Sequence, residues 1–61
     1  MFNLIETRAP YYRGIVATAD TSADALAFIP AKIVCAEEDA DNPGFWDVFA
    51  ANGNVYVIEP V

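Results

Sequence analysis

The sequence predicts a small α+β fold: a mostly antiparallel sheet, element order β-β-α-β-β-β, with one short helix packed on one face. Three observations carry that expectation. Asn52-Gly53 separates two runs rich in aromatic and β-branched residues within the stretch Phe45 to Glu59, and Asn-Gly is the strongest short-range hairpin signal because type I′ turns need positive φ. Thr21 with Asp24 three residues later opens the one segment with helix start signals, and Pro30 closes it. The other apolar runs are short and bounded by Pro, Gly or acidic residues, as strands are.

Taken in order, Phe2 to Thr7 alternates as a first strand, with Phe2, Leu4 and Glu6 on one face and Asn3, Ile5 and Thr7 on the other. Pro10 ends it by removing a ladder donor and holding Ala9 in extended or turn geometry. Tyr11 to Thr18 reads as a second strand, antiparallel to the first across that short turn. Tyr11, Arg13, Ile15 and Ala17 share one of its faces, and Gly14 marks a bulge or a close backbone approach.

The helix spans Asp20 to Ile29. Asp20 and Asp24 favour the positive end of its dipole, and Ala23, Leu26, Ala27 and Phe28 or Ile29 form its buried side. About two turns long, it needs the sheet for stability. Lys32 to Ala36 is a third strand, so continuously apolar that it suits the middle of a sheet. Glu37 to Gly44 then breaks regular structure, because four acids in five residues followed by Asn-Pro-Gly read as a solvated loop. Were the strands flanking the helix parallel neighbours, their crossover would be right-handed. A small barrel with the helix as plug or corner is the alternative architecture.

The hairpin's register decides its faces. A two-residue loop pairs Phe49 with Tyr56 and Asp47 with Ile58, and it is the favoured reading. It places Trp46, Val48, Ala50, Val55 and Val57 against the helix, and leaves Phe45, Asp47, Phe49, Tyr56 and Ile58 on an uncovered face. A three-residue loop with Gly53 as a bulge exchanges the two faces of the last strand, since side chains alternate with period two.

Size and charge bound the function. Residues 1–61 are expected to form one small domain, which buries only about 60% of its unfolded surface. With one cysteine, Cys35, and no histidine, neither an intrachain disulfide nor a zinc site can reinforce it. The chain is 56% hydrophobic, so some apolar surface stays exposed or meets another protein. Nine acids against three bases give a net charge of −6, which argues against direct contact with nucleic acid or anionic membranes. It suits a partner with a basic surface. No run reaches the roughly 18 apolar residues of a membrane span. No basic region precedes an apolar stretch at the start, as a secretory signal needs, so cytoplasmic residence is expected.

Candidate chemistry is sparse. Glu37, Glu38, Asp39 and Asp41, with Asp47 beyond them, form the main polar cluster. A hydrated loop keeps such carboxylates from acid–base catalysis, which needs one of them desolvated. Asp39, Asp41, Gly44 and Asp47 match positions 1, 3, 6 and 9 of an EF-hand loop, but Pro43 stands at position 5 and Ala50 at position 12. Tyr11-Tyr12-Arg13 lacks the basic stripe of a single-strand stacking platform, and Cys35 reads as a small buried hydrophobe. No cofactor and no enzymatic activity are expected.

The expectation is therefore a non-enzymatic binding protein that inhibits a larger partner by covering a basic, nucleic-acid-facing surface. Glu37, Glu38, Asp39, Asp41 and Asp47 supply charge in place of phosphates. Phe45, Phe49, Tyr56, Tyr11 and Tyr12 supply apolar anchors. In tiny size, acidity and spare aromatics the chain is similar in kind to phage- or plasmid-borne accessory proteins such as anti-CRISPR inhibitors, a likeness that no motif carries. The alternative is an assembly domain that homodimerises through its open sheet face.

Overall fold

The computed structural model describes residues 1–8 and 12–61, with the backbone alone at residues 8, 12 and 13. Strands β1 (Phe2–Arg8), β2 (Tyr12–Ala19), β3 (Ile33–Glu38), β4 (Trp46–Ala50) and β5 (Val55–Pro60) form one sheet, and helix α1 (Ser22–Ala27) lies between β2 and β3 in the chain. The sheet order is β2-β1-β5-β4-β3, and every adjacent pair is antiparallel. An α+β class follows. The strands flanking the helix therefore occupy opposite edges, so neither a parallel crossover nor barrel closure occurs.

Local chemistry starts the helix as the sequence implies. Thr21 is extended (φ −130°, ψ 158°), and its hydroxyl accepts a hydrogen bond from the Asp24 N–H at 3.1 Å, satisfying one donor of the first turn. The helix is shorter than the expected 20–29 span. Its buried side is Ala25 with Leu26 and then Ile29, whereas Ala23, Ala27 and Phe28 are exposed. A helix of barely two turns offers one narrow stripe, and the contact with β1 and β2 selects Ala25 for it.

The hairpin adopts the three-residue loop. Gly53 N–H donates to Ala50 O and Ala50 N–H to Asn54 O, each at 3.1 Å. Gly53 has φ +84°, while no non-glycine residue described has positive φ, which excludes a type I′ turn at Asn52. Val48 consequently pairs with Tyr56 and Trp46 with Ile58. This corrects the favoured register: Tyr56 and Ile58 face the helix and are fully buried, while Val55 and Val57 turn outward.

The core gathers Leu4, Ala19, Ala25, Ile29, Val48, Ala50, Tyr56 and Ile58. Each large member contributes about 1.5–3 kcal/mol by leaving water. The Tyr56 hydroxyl lies 3.4 Å from Glu6 Oε2, to which it donates, and accepts from Asn52 Nδ2 at 3.3 Å.

Two further expectations are corrected. β3 is an edge strand rather than a central one, and Glu37 and Glu38 belong to it rather than to a loop. Its apolar run does not read as an edge, yet Val34 and Cys35 are exposed. Both edge strands are bulged. Between Ile33↔Ala50 and Cys35↔Phe49, Val34 is the extra residue on β3; between Leu4↔Ala17 and Ile5↔Ile15, Val16 is the extra residue on β2. The β2 bulge lies two residues beyond Gly14 and reverses the alternation there, so that Ile15 and Ala17 sit on opposite faces.

Candidate functional site

The acidic segment is a built turn between β3 and β4. Asp39 N–H donates to Phe45 O at 2.8 Å and Phe45 N–H to Asn42 O at 3.1 Å, closing the turn. The Asp39 carboxylate accepts from Asp41 N–H at 2.9 Å and from Asn42 Nδ2 at 3.3 Å. Gly44 N–H donates to Glu38 Oε2 at 3.0 Å. The backbone bond from Asp41, then the side-chain bond from Asn42, hold the Asp39 carboxyl below its usual range, because both favour the ionised form.

Gly44 makes the turn's return path. Its φ is +91°, and a Cβ there would meet Pro60 Cγ at 2.9 Å and Phe2 Cε1 at 3.6 Å. The turn is therefore seated against the ends of β1 and β5. An acidic run that reads as a loose loop is instead held in one shape.

Beside the turn lies the sheet face that α1 does not cover. Cross-strand pairing places Ile15, Ile5 and Val57 in one row, continued by Asp47 and Glu37; Thr7, Val55, Phe49 and Cys35 occupy the next. Ile5 is buried although it stands outside the core cluster, whereas Ile15 is 66% and Phe49 45% exposed. The result is an apolar band crossing all five strands. Asp47 and Glu37, directly opposite each other on β4 and β3, form its acidic border.

Of the residues singled out from sequence, the structure brings Glu37, Asp47 and Phe49 together on this face. Glu38, Asp39, Asp41 and exposed Phe45 lie on the adjoining turn. Tyr56 is removed from the surface altogether. Tyr11 lies outside the described residues, as does the side chain of Tyr12. Ile15, Val55 and Val57 were not expected here; the alternative three-residue loop signalled Val55 and Val57, while Ile15 comes opposite Ile5 beyond the bulge at Val16.

Metal chemistry finds no frame among the described residues. The EF-hand-like spacing runs through a strand–turn–strand, and no three acidic, cysteine or histidine side chains are grouped to hold an ion. Cys35 is exposed rather than buried, its thiol 3.9 Å from Glu37 Oε1. On the helix side, an open groove of about 370 Å³ runs between Thr18, Ala19 and Phe28, bordered by Asp20 and Asp24. Among the described residues no helix is long and apolar enough to cross a membrane. No protein-family model, curated protein or solved structure matches the chain.

Proposed function

We propose that the chain is a non-enzymatic binding protein that inhibits a larger protein by covering a basic, nucleic-acid-facing surface, as anti-CRISPR-like accessory proteins of phages and plasmids do in kind. The observation that supports this reading is the pre-arranged acidic turn. Glu38, Asp39 and Asp41 lie exposed on a turn held by five hydrogen bonds, three of them to the Glu38 and Asp39 carboxylates, and seated at Gly44. Charges held in place before contact lose little freedom on binding, so their attraction to a lysine- and arginine-lined groove is not offset by ordering the loop. The working compartment on this reading is the cytoplasm, where such a target resides.

The test begins with affinity purification from the native host. Binding of the isolated partner should weaken steeply between low and physiological salt, because exposed charge attraction is screened within about 8–10 Å. Charge reversal at Glu38 and Asp41, with folding verified by circular dichroism, should weaken it by at least about tenfold. Unchanged affinity in those variants rejects the electrostatic reading.

A further inference from the structure

Resting on that reading, we infer that the open sheet face is the anchor of the complex. It takes a partner surface that is apolar at its centre and carries a lysine or arginine seated between Glu37 and Asp47. The partner is a different protein, not a second copy.

The first argument is an unneeded local cost. Like charges directly opposite on a sheet are destabilising by roughly 0.2–1 kcal/mol, yet Glu37 and Asp47 face each other on the one exposed face that has apolar neighbours. Nothing in the fold's core uses that arrangement. A cation lying between the two carboxylates turns the repulsion into attraction, and none of the strand side chains described is basic.

Charge gives the second argument. Two copies meeting through this face double a net charge of −6 across the contact. A larger basic protein avoids that difficulty. It covers the apolar band and the adjoining acidic turn together, and its charge opposes that of the chain.

The probe is an amphipathic helical peptide of leucine and lysine, titrated into the isotope-labelled protein and followed by amide chemical shifts, with a leucine–glutamate counterpart as control. Shifts should concentrate at Ile5, Ile15, Glu37, Asp47, Phe49, Val55 and Val57, and only with the lysine peptide. The double variant E37Q/D47N should weaken the peptide's binding about tenfold. It relieves repulsion, so its folding stability stays equal or rises, and lost binding cannot be blamed on unfolding. Shifts confined to residues 38–44 overturn this inference while leaving the acidic-turn reading in place. Shifts centred on α1, or none, overturn it too. A dimer in sedimentation at high concentration, dissociated by Phe49→Ser, identifies the occupant as a second copy and overturns it as well.

Discussion

Substituting alanine at Gly44 and at Gly53 separates two effects that usually arrive together. Both glycines have positive φ, +91° and +84°, but a Cβ at Gly53 meets nothing within 4 Å whereas one at Gly44 meets Pro60 Cγ at 2.9 Å. Gly53→Ala therefore measures backbone strain alone, about 1–2 kcal/mol. Gly44→Ala adds an overlap with a rigid ring, about 1–3 kcal/mol more, for a total of about 2–5 kcal/mol. A 61-residue chain has roughly 3–9 kcal/mol of stability in all, so the second variant loses a large share of it. Urea unfolding followed by the half-buried Trp46 gives both numbers, provided the m-values agree. Pro60→Ala deletes the Cγ, and in that background the excess of Gly44→Ala over Gly53→Ala should shrink to within about 0.5 kcal/mol. If Gly44→Ala costs no more than Gly53→Ala, or if Pro60→Ala leaves the excess intact, the turn is not seated as described.

Asp39 has a lowered folded-state pKa, so its contribution is present above its unfolded value and fades as pH falls through the folded one. Stability should therefore decline on acidification below about pH 4; in Asp39→Ala that part of the decline should be missing, which acid titration of the unfolding midpoint would show. Tyr56→Phe should lose about 0.5–1.5 kcal/mol through its bonds to Glu6 and Asn52, and Tyr56→Ala about 3–5 kcal/mol. A tyrosine on the open face would instead leave thermal stability within about 0.5 kcal/mol.

What could be read from the residues was local. Thr21 and Asp24 declare a helix start because the capping bond lies within one turn. Asn52-Gly53 declares a hairpin because the chain must reverse there. Its register could not be read, since Gly53 serves a type I′ turn and a three-residue loop equally well. What separates them is whether Tyr56 or Val57 meets Leu4 and Ala25, a tertiary choice. Similarly, Ile33-Val34-Cys35 has a buried strand's composition but an edge strand's place. The bulge at Val34 that marks the difference leaves no trace in the run itself. For the candidate site, the acids and Phe49 were legible by type. The rigidity of their turn was not, because it depends on Pro60 and Phe2 approaching Gly44 from distant parts of the chain.

One feature of the sheet order bears on how binding and folding communicate. β1 and β2 form one meander, β3, β4 and β5 another, and the two join along the β1–β5 rungs from Phe2↔Pro60 to Thr7↔Val55. That seam links residues more than forty positions apart, so its closure is entropically the most demanding step of folding. Buried Ile5 and half-buried Val57 face each other across it in the middle of the apolar band, with exposed Ile15 and Phe49 to either side. A partner resting on the band clasps both meanders at once and holds the seam shut. Bound chains should unzip far more slowly than free ones, so the surface that anchors a target also sets how long the protein survives on it.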